Sequence, residues 1–349
     1  MYYYKIIVQN PSNKDQWTYK SDTPLDVGAI VAVTVGNKPH TGLVIGPDKT
    51  DLPPEKIKSV LTIHPGKLPP QTIEWIKKMS VWTMMPTGSI WKLMSSAADF
   101  TKIENRKSKN ENRKKKIVSR LSILDSRYHD TGTVVLSPDQ AAAANKITVG
   151  NFAVTLLDGI TGSGKTQVYF DAALRAYDNG KSVLLMMPEI ALTAQFSDRF
   201  KERFGAKPVI WHSNLTPAKR RDIWHGVLGG QIKMIVGTRS ALFLPWQDLG
   251  LIVVDEEHDI SYKQDEMGNY HARDMAVLYG KLHDIPVILA SATPSFETLH
   301  NVSLGKYSQI RLTARYGGAM LPIVEIVDLR KRIDSTENTH LQRNGSNGN

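Results

Sequence analysis

Two rhythms of apolar and polar residues divide the chain. Up to about residue 65, short β-prone runs at 3–8, 29–35, 41–45 and 57–63 are separated by Gly28, Gly36-Asn37, Gly46-Pro47 and Pro53-Pro54, which predicts a small β domain. A helix should begin after Pro69-Pro70, because proline suits a first helical turn, and should stop before Pro86. Its spacing puts Ile73, Ile76, Met79 and Val81 on the buried side, and Trp75, Trp82 and Trp91 are expected to pack the core there. From Val134 the rhythm changes to strands at 152–157, 182–187, 207–211, 233–236, 249–254 and 286–290, alternating with helical segments such as 167–177. Such alternation predicts an α/β unit, a parallel sheet with helices on both faces.

Between the two rhythms the chain turns polar. Residues 102–116 are repetitive in Lys, Asn, Arg and Glu, as expected of a flexible linker. Lys102 to Arg120 carries nine Lys/Arg against Glu104 and Glu111, which accounts for +7 of the formal net charge of +10. The pull toward a polyanion therefore rests largely on one stretch, which serves equally as a phosphate contact through counterion release or as a solvated tether. After about residue 330 the chain again becomes polar, as a disordered tail would. No run approaches eighteen uncharged apolar residues, and Met1-Tyr-Tyr-Tyr-Lys5 lacks a secretory leader, so no membrane partner and a cytoplasmic location are expected. The sequence has no cysteine, which excludes disulfides and any thiolate zinc site within it.

The chemistry is concentrated in the second rhythm. Gly159-Ile-Thr-Gly-Ser-Gly-Lys-Thr166 lies between an apolar run and a helical segment, the setting a phosphate-binding loop requires. Thr161, Gly162, Ser163 and Gly164 would let consecutive N–H groups curl around phosphates, Lys165 would reach the outer phosphates, and Thr166 would ligate Mg2+. About ninety residues on, the apolar run at 251–254 should deliver Asp255 and Glu256 beside that loop. Asp255 is then the candidate metal ligand, directly or through water, and Glu256 the group that orients and deprotonates the attacking water.

The order of motifs resembles superfamily 2 helicases and, more narrowly, the primosomal protein N′ (PriA) family of replication-restart helicases. The resemblance is carried by Asp139-Gln140, the phosphate loop, Pro188-Glu-Ile-Ala-Leu-Thr193, Trp211-His-Ser213, Gly237-Thr-Arg-Ser-Ala241, Asp255-Glu-Glu-His258 and Ser291-Ala-Thr-Pro294. Its most specific part is Asp259-Ile-Ser-Tyr-Lys-Gln264 followed by Tyr270-His-Ala-Arg-Asp274, similar to the aromatic-rich loop through which such motors link DNA contact to ATP hydrolysis. It implies a RecA-like helicase lobe at 134–329, a β-rich domain at 1–100 that binds DNA 3′ ends, a basic linker at 101–133 and a polar tail at 330–349. It implies ATP and Mg2+ as cofactors, and as partners DNA forks, single strands and 3′ ends, other primosome proteins and single-stranded-DNA-binding protein. By resemblance Gln140 would read adenine; Thr193, Thr238, Arg239 and Ser240 would lie on the DNA side, with Arg239 the strongest candidate. Tyr262, Lys263, Tyr270 and Arg273 would touch DNA from the aromatic-rich loop, and His258, Ser291 and Thr293 would couple the two ligands. In the first domain Trp17, Thr18 and Tyr19, Gly36 and Lys58 stand where the family binds a terminal nucleotide, with Thr18 in place of an acid.

Three departures qualify the resemblance. The linker is short for a winged-helix domain, Asn269 replaces a usual arginine, and nothing after residue 330 resembles a second lobe, its zinc module or a C-terminal domain. No zinc and little turnover by this chain alone are therefore expected. Two other readings stay open: another superfamily 2 translocase such as a restriction-type motor, and a nucleotide-sensitive DNA-binding module without turnover.

Overall fold

The computed structural model describes residues 1–9, 16–98, 128–265 and 268–314. The basic stretch from Lys102 to Arg120 and the polar tail lie outside the described residues.

Five antiparallel strands open the chain: β1 (Tyr2–Val8), β2 (Trp17–Ser21), β3 (Ala29–Val35), β4 (Lys38–Pro47) and β5 (Thr62–Lys67), ordered β2-β1-β4-β3-β5. The sheet curls back on itself, because Lys20 N–H donates to Lys58 O at 3.0 Å and Val60 N–H to Lys20 O at 2.9 Å. A strand expected at 57–63 begins only at Thr62; Pro53-Pro54 sets a short 3-10 turn, and residues 58–60 bridge to β2 instead of continuing a ladder. Alternation along the strands sends Tyr4, Ile6, Val8, Tyr19, Val31, Val33 and Val44 into the domain's own core. Ile7, Ile30 and Leu43 face the other way and join the core beneath the following helices.

Those helices are α1 (Pro70–Thr83) and α2 (Thr87–Ser95). Helix α1 buries Thr72, Ile73, Trp75, Ile76 and Met79. Val81 is 76% exposed and Trp82 61% exposed, which corrects the expectation that both pack inward. Val81 lies five residues beyond Ile76, about 140° around the helix and so on its far side.

The rest is a seven-stranded, all-parallel sheet ordered β14-β6-β13-β10-β7-β9-β8. Its strands are β6 (Val154–Gly159), β7 (Ser182–Met186), β8 (Val209–Trp211), β9 (Met234–Gly237), β10 (Leu249–Asp255), β13 (Val287–Ser291) and β14 (Ser308–Leu312). The two-residue strands β11 (Lys263–Gln264) and β12 (Tyr270–His271) pair separately between β10 and β13. One face, with Leu157, Val183, Leu185, Val236, Val253 and Ile288, is covered by α3 (Pro138–Lys146), α4 (Lys165–Asp178) and α5 (Ala194–Phe204). The other, with Leu156, Leu184, Ile235, Ile252 and Leu289, lies against α6 (Pro217–Leu228) and α7 (Ala272–His283) and shares its core with α1 and α2. A last helix, α8 (Phe296–Ser303), links β13 to β14. The chain is thus an α/β lobe built on a parallel sheet, preceded by a small β-rich domain. Among the described residues no helix is long and apolar enough to cross a membrane.

Three indoles join the two parts. Trp91 Nε1 donates to Thr41 O and Trp75 Nε1 to Met275 O, each at 3.0 Å, and Trp224 Nε1 to Met94 O at 2.7 Å. All three rings are buried.

Candidate functional site

The phosphate loop springs from the end of β6 and closes at Lys165, the first residue of α4. Gly162 and Gly164 have φ of 82° and 83°, a left-handed backbone that favours glycine. A Cβ on Gly164 would also sit 2.0 Å from Gln140 Nε2. Lys165 Nζ donates to Gly159 O at 2.7 Å, Thr161 is exposed and Thr166 half-buried. The Ser163 hydroxyl is buried with no hydrogen-bond partner among the described residues. A glycine curl at a helix N-terminus, an ammonium inside it and an unmatched hydroxyl form a cradle that fits a phosphate chain.

Gln140 lies against the phosphate loop. Its Oε1 accepts from Ser137 N–H at 3.0 Å while Ser137 Oγ accepts from Gln140 N–H at 3.3 Å, a reciprocal cap on α3. Its Nε2 donates to Ser163 O at 3.1 Å. Each end of the amide makes one bond to the protein and keeps a second donor or acceptor site, so Gln140 braces the phosphate loop here.

Facing the loop is the end of β10. Asp255 Oδ2 accepts from the Tyr169 hydroxyl at 2.8 Å and Oδ1 from Glu256 N–H at 3.0 Å. Burial pushes the Asp255 carboxyl up to about 6, against the Tyr169 hydrogen bond and the Lys165 charge, which draw it down; the neighbouring Glu256 carboxylate adds to the rise. The Thr166 side chain acts on the same Tyr169 phenol. Thr166 and Asp255 thus offer hard oxygen donors around one phenol, a set suited to Mg2+ completed by water and phosphate oxygens. Glu256 has φ 47°, an uncommon left-handed conformation for a side-chain-bearing residue.

The residues after Glu256 fix it from behind. Glu257 is fully buried; its Oε2 accepts from Arg273 Nη1 at 2.9 Å and Thr298 Oγ1 at 3.0 Å, and its Oε1 from Ser295 N–H at 2.7 Å. His258 Nδ1 lies 2.8 Å from Ser291 Oγ, which also accepts from Thr293 N–H at 3.0 Å. The three candidate coupling residues therefore meet.

The aromatic-rich loop is tied to the same strand end. The Tyr262 hydroxyl donates to Asp255 O at 2.6 Å, and Arg239 Nη1 donates to Ser261 O at 2.8 Å and to Lys263 O at 2.7 Å. Tyr262 and Tyr270 are buried, the latter edge-on to Phe243, and Arg273 is held in the Glu257 pair. The ring faces and the guanidinium of these three candidates are thus packed or paired within the protein. Lys263 stays exposed beside Asp265, 3.2 Å away. Thr193 caps α5 by accepting from Phe196 N–H, and Ser240 Oγ accepts from Trp211 Nε1.

In the β domain, the Lys58 ammonium donates to Gly36 O, bringing two candidates together next to open space at Gly36, whose φ is 59°. Trp17 is half-buried against that domain's core. Thr18 alternates to the opposite face of β2, where its hydroxyl donates to Asp48 Oδ2 at 2.6 Å. Sequence reasoning missed Tyr169, Glu257 and Asp48. Tyr169 lies one helical turn after Lys165 and Glu257 within the Asp255-Glu-Glu-His258 motif, whereas Asp48 had no signal.

Residues 137–302 match the DEAD/DEAH box helicase family and residues 5–96 the 3'DNA-binding domain (3'BD). The chain is 39% identical over 327 residues to Replication restart protein PriA of Rickettsia conorii, covering 92% of this chain and 47% of that protein. It is 37% identical over 213 residues to Replication restart protein PriA of Bacillus subtilis, covering 60% and 26%. The chain thus spans about half the length of the curated Rickettsia relatives it matches. Among solved structures, RecG bound to a three-way DNA junction shares 20% identity, with a TM-score of 0.40 over 73% of this chain and 36% of that one.

Proposed function

We propose, for a chain that belongs to the PriA replication-restart family, that it is the ATP-binding and DNA-binding portion of a 3′-to-5′ DNA helicase that restarts replication at stalled forks. The observation that carries this reading is the direct tie between the nucleotide side and the loop side of one strand end, through Tyr262 to the Asp255 carbonyl and Arg239 to the loop backbone. A group that displaces the loop must pull on the residue that would hold the metal.

Within that reading, residues 159–166 cradle the phosphates, with Lys165 leaving Gly159 O for the outer phosphates. Thr166 and Asp255 hold Mg2+, which when bound polarises the phosphoryl oxygens. Glu256 orients the attacking water and takes its proton. His258, Ser291 and Thr293 carry the state of that site to α8. The units are 1–100 for the DNA 3′ end, at Trp17, Thr18, Gly36 and Lys58; 101–133 as linker; 134–329 as the motor lobe; and 330–349 as tail. The partners are forks, single strands, primosome proteins and single-stranded-DNA-binding protein, in the cytoplasm.

Replacing Lys165 by Ala should weaken binding of a fluorescent ATP analogue by roughly 10- to 100-fold, the loss of a charge-assisted contact of about 1.5 to 3 kcal/mol. Unchanged affinity in a protein that still melts like the wild type would overturn the assignment.

A further inference from the structure

We propose that Arg220, at the start of α6, holds a backbone phosphate of single-stranded DNA. The inference rests on the DNA-binding reading above and names a contact outside the candidate residues.

The guanidinium is placed but not paired. Its Cζ lies over the buried Trp211 ring, 5.1 Å from the ring centre. Stacking of this kind engages the face of a guanidinium and leaves the donors at its edge free. Arg220 makes no hydrogen bond or ion pair among the described residues, and its Nε is buried without a partner. A half-buried cation whose donors are unmatched calls for an anion.

The helix adds to that demand. Thr216 caps α6 by accepting from Lys219 N–H, and no acidic residue stands in the first turn; Lys219, Arg220 and Arg221 follow one another there instead. Cations at a helix N-terminus oppose its dipole, and a bound anion offsets that repulsion. Asp222 is the single carboxylate of α6; it lies on the side of Lys219, at i and i+3, and about 200° around the helix from Arg220.

Its place in the fold names the anion. Trp211 ends β8; its Nε1 donates to Ser240 Oγ at 3.1 Å, and its carbonyl accepts from Thr238 N–H at 3.1 Å. Arg220 thus packs on the ring that braces residues 238–240, whose Arg239 reaches the carbonyls of Ser261 and Lys263, the tie on which the proposed function rests. Helix α6 and the phosphate loop both start from the C-terminal edge of the parallel sheet, where such sheets take their ligands. Five strand positions separate β8 from β6, roughly 24 Å at about 4.8 Å each, so the phosphates of a nucleotide in the cradle do not reach Arg220. A polyanion running along that edge does, and the partner of this form is a DNA strand.

The test measures binding of the full chain to fluorescein-labelled oligothymidylate by anisotropy over a series of salt concentrations. Arg220→Gln should weaken binding by roughly 10- to 100-fold at low salt, the loss of one charge-assisted contact. It should also reduce the slope of log affinity against log salt by about 0.7, the share of one phosphate on a single strand. Arg220→Lys should restore the slope but only part of the affinity, because an ammonium keeps the charge without the planar fork. Both variants should bind a fluorescent ATP analogue as the wild type does and melt at its temperature.

Equal oligothymidylate affinity of Arg220→Gln and wild type overturns the proposal; if that variant has lost binding of inorganic phosphate, the site belongs to a free anion instead. A weaker Arg220→Gln with the wild-type salt slope overturns it too, since Arg220 would then only pack on Trp211. A wild-type chain that binds no oligothymidylate fails the DNA-binding reading itself, and this contact with it.

Discussion

The two sides of the β10 end differ in what they leave free. On the nucleotide side Gln140, Lys165 and Asp255 are bonded to the protein, yet the Ser163 hydroxyl lacks a partner among the described residues, and Thr161 and Glu256 are not buried. On the loop side, the signature residues Tyr262, Tyr270 and Arg273 are packed or paired, and Arg239 is bonded to two carbonyls. The first region is built to receive a ligand, the second to carry a connection. A motif residue therefore says that a chemistry is needed at its position without saying whether the partner is a ligand or the protein.

The contrast is most exposed to failure at Glu257. Glu257→Ala takes from the buried Arg273 its buried carboxylate and leaves it only the carboxylate of the half-exposed Asp274, 2.9 Å from its Nε, so chemical denaturation should show a loss of about 3 kcal/mol. Glu256→Gln, one residue away on the receiving side, should cost little stability. If the two variants were equally stable, the division between the two sides would fail. Next in size, Tyr262→Phe strips a hydrogen bond from a buried carbonyl and should cost about 1 to 3 kcal/mol. Limited proteolysis should then cut near residue 265 faster, while affinity for a fluorescent ATP analogue changes less than with Lys165→Ala.

The smallest effect is in pH. Burial raises the Asp255 carboxyl to about 6, so a proton competes with Mg2+ below that value. Mg2+-dependent nucleotide affinity should climb as pH rises through about 6 and level off above it. Tyr169→Phe removes a bond that favours the charged form and should move the midpoint to higher pH. The metal-free protein carries the opposite sign: its carboxyl binds a proton more tightly folded than unfolded, so Asp255's contribution to stability declines as pH rises from 3.8 to about 6. A flat affinity profile between pH 5 and 7 would remove Asp255 from the metal site.

The sequence made the parallel sheet readable because a strand buried on both faces must be an apolar run, and six such runs became β6, β7, β8, β9, β10 and β13. Strand β14 escaped, as Ser308, Gln309 and Arg311 give an edge strand a polar appearance. Strand β2 escaped because its five residues alternate without a strong apolar stripe. At the site, contiguous motifs such as 159–166 were readable because a phosphate chain is cradled by consecutive residues. The Glu257–Arg273 pair was not, since sixteen residues and a loop separate its members and no local periodicity joins them. Burial misled at Tyr262: a tyrosine in a polar loop gives no sign of whether its ring faces solvent or core.

The three indole bonds have a mechanical consequence. Trp91 fastens the β domain to α2, Trp224 fastens α2 to α6, and Trp75 fastens α1 to α7, so no shear plane runs between the small sheet and the large one. Under the proposed function, a strand end held by the β domain would be kept at a set offset from the phosphate cradle, a gauge against which movement of the strand could be measured.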